Sequence, residues 1–261
     1  MILSDTEVAV AAASAGAAVV RRYYGTAVDH FAKADRDFAT TADLEAEQAI
    51  LAVLRAHRPD DGFVGEESGR SGASASRVWL VDPLCGTLNF AVQSPLIAVN
   101  VALRSADASV AAAADPLSGE IFWTDGTASW VRRDGTDAPL VPSASSRLVD
   151  VNLDPPFPNA ATFLATSLLA DPEFQSEFGP RVLSTTLAVT WVAAGRRAAY
   201  VTDGDRRDSV HFAAGLAICA AAGCVVTGLD GGPLDSGPGG LIVAADPATH
   251  ETLLRMVRKQ P

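Results

Sequence analysis

Cysteine is scarce in this chain. The 261 residues hold three, Cys85, Cys219 and Cys224, too few and too scattered for a disulfide framework, and no Cys-x-x-Cys knuckle is present for a structural metal. That usage fits a reducing cytoplasm. Positive charge is the minority sign, with 20 Lys and Arg against 31 Asp and Glu and a formal net charge of -11. A binder of nucleic-acid backbones needs clustered cations to displace counterions, so no nucleic-acid partner is expected. An anionic ligand would need local help from a bound cation or from helix N-termini. Long apolar runs are missing too: residues 8–20 are rich in Ala, interrupted by Ser14 and Gly16, and shorter than the ~18 residues a membrane span needs. No basic segment follows Met1, so neither a secretory leader nor a membrane partner is expected.

What the sequence has in quantity is apolar side chains, 48% of the residues, enough for a large core in one big domain or two closely joined halves. Ser4-Asp5-Thr6-Glu7 reads as an N-cap with acidic first-turn residues, starting a helix that runs to about Tyr24. Leu44, Ile50, Leu51 and Leu54 among charged residues predict an amphipathic helix over 41–55. Residues 33–40 are expected to form a loop or short hairpin, 63–68 a brief strand and turn, and 69–76 a Gly/Ser/Ala-rich link. Strands over 97–103, 109–114, 120–123 and 128–132 are spaced as an antiparallel meander. Prolines at 139, 142, 155, 156 and 158 place a join near residue 140, dividing an N-terminal α+β half (1–140) from a C-terminal α/β half (141–261). The second half reads as helices over 160–169, 183–194 and 209–222, strands over 198–201, 224–226 and 241–244, and a last helix over 247–259 capped by Asp246.

The stretch Arg77-Val78-Trp79-Leu80-Val81-Asp82-Pro83-Leu84-Cys85-Gly86-Thr87-Leu88-Asn89-Phe90 carries the most chemical information. A buried-strand pattern stops at Asp-Pro, and a Cys-Gly-Thr turn leads into a new segment. Such a strand end presents a carboxylate to a cation and free backbone N–H groups to an anion. Acidic residues stand at turn positions in three places: Asp43, Glu66 with Glu67, and Asp82. A magnesium-like ion takes a few carboxylates, with water and substrate oxygens completing its shell. Each acid also has a plainer reading: Asp43 as a first-turn helix acid, Glu66-Glu67 as a solvated turn, and Asp82 as a turn former before Pro83.

Taken together, Thr-x-Ala-Asp, Gly-Glu-Glu-Ser and Trp-Leu-Val-Asp-Pro-Leu-x-Gly-Thr-x-Asn-Phe strongly resemble the inositol monophosphatase family of metal-dependent phosphatases. The resemblance extends to a helix centred on Ser184, to Ala213-Ala214-Gly215 and to Ala222-Gly223-Cys224-Val225-Val226-Thr227. It implies a mixed α/β (α+β) fold, a layered αβαβα sandwich, and hydrolysis of a small phosphomonoester of the sugar or inositol phosphate type. It further implies a first metal, Mg2+ in the family, held by Glu66, Asp82 and the carbonyl of Leu84. Thr87, oriented by Asp43, would help activate the attacking water, and the amides of Gly86 and Thr87 would face the phosphate. A homodimer is expected on the same ground.

Two positions depart from the family pattern. Cys85 stands where the family's Asp-Pro-Leu-Asp-Gly-Thr motif has its second Asp, and His211 where its Trp-Asp-x-Ala-Ala-Gly motif has its Asp. Both family aspartates serve the second metal. A thiol and an imidazole make a poor magnesium site and suit a softer ion such as Zn2+, with Mn2+ also in play. Asp208 either supplies the missing carboxylate from a shared helix face or caps the helix that follows. Four readings follow: a phosphatase running on the Glu66/Asp82 metal, a hydrolase shifted to a softer ion, Cys85 as a nucleophile paired with His211, and a non-catalytic binding module. Cys219 reads as core, and His30, His57 and His250 carry no acidic or thiol motif around them.

Overall fold

A computed structural model of the chain describes residues 2–33, 38–74, 76–106, 109–153, 165–203, 209–234 and 239–260. Its first elements are α1 (Asp5–Tyr23), β1 (His30–Ala32), β2 (Phe38–Thr40), α2 (Thr41–His57), β3 (Gly62–Gly65), β4 (Gly69–Gly72), β5 (Val78–Cys85) and α3 (Thr87–Ala91). Strands β6 (Ala98–Arg104), β7 (Ser109–Ala114), β8 (Ile121–Thr124), β9 (Ser129–Arg133), β10 (Thr136–Pro139) and β11 (Leu148–Asn152) follow. Then come α4 (Ala165–Ala170), α5 (Pro172–Glu177), β12 (Gly179–Val182), α6 (Leu187–Ala193), β13 (Ala199–Thr202), α7 (Ala213–Ala222), β14 (Val225–Thr227), β15 (Leu241–Ala244) and α8 (Pro247–Val257). Contacts gather them into two compact units, Met1–Pro139 with Val210–Ile218, and Leu140–Ser209 with Cys219–Pro261. Among the described residues, no helix is long and apolar enough to cross a membrane.

The first unit is built on an eight-stranded sheet in the order β10-β9-β8-β7-β6-β5-β3-β4. From β5 to β10 every neighbour is antiparallel, and β6 to β9 form the meander expected over 97–132. Ser4 caps α1 in a reciprocal box with Glu7. Val8, Ala12, Val20, Ile50, Leu51 and Leu54 of α1 and α2 bury themselves against Trp79, Val81, Val99, Val101 and Ala112 of the sheet. The small residues of α1 let the helices close up: a Cβ on Gly16 would sit 2.7 Å from Ile50 Cδ1. Residues 33–40 contain part of a hairpin, since β1 and β2 pair antiparallel.

Two local features differ from the sequence reading, and both shape the site. The link over 69–76 contains β4, an edge strand paired to β3 that turns back on glycines rather than on apolar alternation. Strand β5 does not stop at Asp82-Pro83 but continues to Cys85. Proline cannot donate to a ladder, and the pairing slips there: Asp82 faces Asn100, and the next pair is Cys85 with Ala98. One extra residue is thereby accommodated as a bulge, the usual device for re-aiming a side chain at a strand end.

The second unit holds a five-stranded sheet in the order β12-β11-β13-β15-β14, with β11 parallel to both β12 and β13 and the β15 pairings antiparallel. Val149, Val151, Val201, Ile242 and Ala244 pack with Leu168, Phe174, Leu253 and Met256 from its helices. Asp246 caps α8, as expected. Cys219 is fully buried and its thiol donates to the Val189 carbonyl at 3.1 Å, which agrees with a core role. Ser184 lies ahead of α6 rather than at the centre of a helix, and α7 begins at Ala213 rather than at residue 209. The helix expected over 160–169 is seen from Ala165, its start lying outside the described residues.

Gly62 ties this architecture to the acidic turn that follows β3. A Cβ there would come within 2.2 Å of the Ser74 backbone oxygen, which has no flexible end to move aside. Gly62→Ala should therefore cost about 1–3 kcal/mol of stability through overpacking, read as a lowered midpoint in thermal or urea unfolding. An unchanged midpoint would contradict this close approach.

Candidate functional site

Asp43 occupies the third position of α2, where it completes a capping box: its Oδ2 accepts from the Thr40 N–H at 2.7 Å and from the Thr40 hydroxyl at 2.5 Å. The other oxygen, Oδ1, accepts from the Thr87 hydroxyl at 2.9 Å. The first-turn helix acid thus also accepts from Thr87. Burial raises the Asp43 pKa against the hydrogen bonds from Thr40 and Thr87. Four residues further on, and so on the same helical face, Glu47 accepts from the N–H groups of Glu67 and Ser68 at 2.9 Å each and holds the acidic turn in place.

That turn leaves β3 with the Glu66 N–H donating to the Val81 carbonyl at 3.0 Å, which continues the parallel pairing to β5. Lys33 bridges the two acids, at 3.0 Å from Glu66 Oε1 and 2.7 Å from Glu67 Oε1. Burial works against a charged Lys33, but Glu67 and Glu66 hold its pKa above the ordinary lysine range. Burial also raises Glu67 against the pull of Lys33. Glu66 Oε2 is buried without a hydrogen-bond partner, 3.8 Å from His211 Nδ1. Burial, with the Asp82 charge beside it, pushes the Glu66 carboxyl up to about 8 against the pull of His211 and Lys33.

Asp82 sits at the bulge of β5 with no exposed surface. Its carboxylate accepts from the Leu84 N–H at 3.2 Å and from His211 Nδ1 at 2.8 Å, with the Asn100 amide at 3.4 Å. Burial opposes ionisation, yet the charge and hydrogen bond of His211 hold Asp82 below the usual carboxylate range. The same pair works on the imidazole: burial lowers its pKa, Asp82 and Glu66 raise it further, and it ends at about 9.

Leu84 is buried and its carbonyl lies 3.2 Å from the Thr87 hydroxyl, which thus has two acceptors in Asp43 and Leu84. Cys85 ends β5, and Gly86 caps α3 with φ +91°. That left-handed turn suits glycine, and a Cβ there would lie 2.8 Å from the Leu96 carbonyl oxygen. Thr87 opens α3, whose first-turn N–H groups have no acceptor within the helix. His211 stands in the turn before α7, not on a helical face. Asp208, expected as a neighbour or a cap, lies outside the described residues.

The sequence-predicted residues Glu66, Asp82, Cys85 and His211 therefore converge, with Asp43, Leu84, Gly86 and Thr87 around Asp82's strand end. Lys33 and Glu47 belong to the same network and went unpredicted. Glu47 had a signal in its four-residue spacing from Asp43, while Lys33 had none, since its contacts are made across a turn.

A hard cation fits part of this set. Glu66 offers a buried oxygen with no hydrogen-bond partner, and Asp82 and the Leu84 carbonyl add the oxygen donors that magnesium-class ions take. Among the described residues, the remaining donors beside Asp82 are the Cys85 thiol and the His211 imidazole, which do not suit a second such ion.

Comparison with known proteins gives a consistent answer. The profile of the inositol monophosphatase family matches residues 3–261. An inositol-1-monophosphatase of Caulobacter vibrioides is 30% identical over 237 residues, covering 87% of this chain and 89% of that protein. The Nus factor SuhB of Salmonella typhimurium is 30% identical over 261 residues, covering 97% and 95%. Among solved structures, the extragenic suppressor protein SuhB of Bartonella henselae superposes with a TM-score of 0.85 at 27% identity, covering 97% of each chain. The mixed α/β fold expected from the motifs is thus the fold of these relatives.

The two raised pKa values set the pH dependence of the metal-free protein. His211 titrates at about 9 folded against 6.5 unperturbed, so its stabilising contribution is complete below pH 6.5 and is lost as pH rises through 9. Glu66 titrates at about 8 folded against 4.5, so the folded state retains a proton the unfolded state releases, and stability again falls with rising pH. The melting temperature in chelator should fall between pH 6.5 and 9, and His211→Gln should flatten the upper part of that fall. A flat or rising profile in the parent protein would contradict the assignment.

Proposed function

The chain belongs to the inositol monophosphatase family, and from that membership and its site we propose that it hydrolyses a small phosphomonoester, of the sugar or inositol phosphate type, with water as the nucleophile. The observation that carries the proposal is the 2.9 Å hydrogen bond from the Thr87 hydroxyl to buried Asp43. With its own proton directed at Asp43, the Thr87 oxygen keeps lone pairs to accept a hydrogen bond from an attacking water, and as it takes that water's proton its own would pass to Asp43. Asp43 in turn is fixed by Thr40 and cannot swing away, so Thr87 is oriented before substrate arrives.

The N-terminus of α3 would face phosphoryl oxygens, and Gly86 shapes that turn because its φ of +91° and its approach to Leu96 suit glycine. Glu66, Asp82 and the Leu84 carbonyl would hold a Mg2+- or Mn2+-class cation. When bound, such an ion supplies positive charge to the phosphoryl oxygens and lowers the pKa of water. Lys33 keeps Glu66 and Glu67 in place.

Phosphate release from a panel of sugar and inositol phosphates with magnesium or manganese tests this. Thr87→Ala should lower kcat by roughly 100-fold to 10,000-fold, the range for positioned proton transfer, and Thr87→Ser should recover most of it. If Cys85→Ser abolished turnover while Asp82→Asn and Thr87→Ala left it intact, the chemistry would be that of a thiol nucleophile. Absence of phosphate release with every cation would favour a binding module, a reading in keeping with relatives named Nus factor.

A further inference from the structure

Among the described residues, Asp82, Cys85 and His211 form a group of three whose donor atoms all lie within 4.8 Å of one another. They come from the bulge of β5, the end of that strand and the turn before α7. An oxygen, a sulfur and a nitrogen thus face one point. Magnesium prefers six oxygens in a near-ideal octahedron and gives up its waters reluctantly. A thiolate and an imidazole favour ions further along the divalent series, and zinc takes this kind of mixed set in tetrahedral geometry.

The surroundings argue the same way. Asp82 is fully buried, and Glu66 brings a second carboxylate whose Oε2 has no hydrogen-bond partner and lies 3.8 Å from His211 Nδ1. Negative charge is concentrated here around one imidazole and one lysine. A divalent ion that displaces two protons, one from the Asp82–His211 pair and one from the Cys85 thiol, would keep the charge balance and gain a sulfur ligand.

We infer that Asp82, Cys85 and His211 form a site for a zinc-class divalent ion, selective against magnesium, where relatives with two more carboxylates would take a hard cation. Three protein donors leave a fourth position for water or a substrate oxygen, as in zinc sites that stay open. The inference deepens the proposed hydrolase by giving its second cation position an ion class, and it rests on that reading only for the sharing of Asp82. Because binding is read without substrate, absence of turnover does not touch it.

Cobalt(II) is the probe, since it takes zinc sites and reports its ligands. One equivalent added to the metal-free full chain should give a near-ultraviolet thiolate-to-cobalt band together with the intense visible bands of a tetrahedral ion. Zinc should bleach both, whereas magnesium at about 1,000-fold excess should leave them. Cys85→Ser should abolish the thiolate band, and His211→Ala should weaken cobalt binding by at least about 10–100-fold, the loss seen even for partners that only support a ligand. The variant Cys219→Ala/Cys224→Ala, which leaves Cys85 as the sole cysteine, should keep the band. It carries the test alone if Cys85→Ser fails to fold. No band in that variant, a band that survives Cys85→Ser, or displacement of cobalt by magnesium would overturn the inference.

Discussion

A carboxylate with no exposed surface needs a counter-charge, and Asp82 takes it from His211 at 2.8 Å. An uncompensated buried charge costs several kcal/mol, so this pair sets what the rest of the site can do. It explains why Asp82 is held ionised, whereas burial and the Asp82 charge push its neighbour Glu66 toward its protonated form. It also explains why an imidazole with 42% of its side chain exposed is held charged well above its ordinary range. Lys33 repeats the device one residue pair away, between Glu66 and Glu67. The metal-free site thus carries two cations of its own beside its acids.

Backbone features place these groups. The bulge at Pro83 turns β5 so that Asp82, the Leu84 carbonyl and Cys85 come close together at the strand end, instead of alternating across a regular strand. The left-handed Gly86 then starts α3 at once, and Thr87 reaches back to Asp43, 44 residues earlier in the chain. One hydrogen bond thereby links the first turn of α2 to the first turn of α3. The parallel pairing of β3 with β5, extended by the Glu66 N–H to the Val81 carbonyl, brings the acidic turn alongside.

The helices α1, α2 and α8 and the antiparallel meander were legible because apolar periodicity and capping residues act locally: Ser4 with Glu7, Thr40 with Asp43, and Asp246 each start a helix where the sequence indicates. The acids of the site were legible through their motif, since no periodicity would single out Asp82 from other acids before proline. What escaped was set by tertiary context. Pro83 marks a strand end in isolation but is absorbed by a bulge within a sheet, and β4 has glycines where alternation would be sought. Lys33 finds its partners across a turn, and His211 belongs to a turn that helical periodicity had absorbed into α7. In each case the deciding contact is made with a distant segment, which a local window cannot contain.

Two kinds of donor meet at the Asp82–His211 pair. On one side of Asp82 lie the oxygens of Glu66 and Leu84, and on the other a thiol and an imidazole. The central claim is that His211 is the built-in cation of Asp82 and yields to a zinc-class ion. Nitrogen-15 chemical shifts of the His211 ring at neutral pH test it most directly. The account predicts a doubly protonated imidazolium in the metal-free protein, converted by zinc to a neutral, ligated ring, whereas magnesium on the oxygens of Glu66, Asp82 and Leu84 leaves the ring unligated. A neutral ring without metal, or one that responds equally to magnesium, would contradict it.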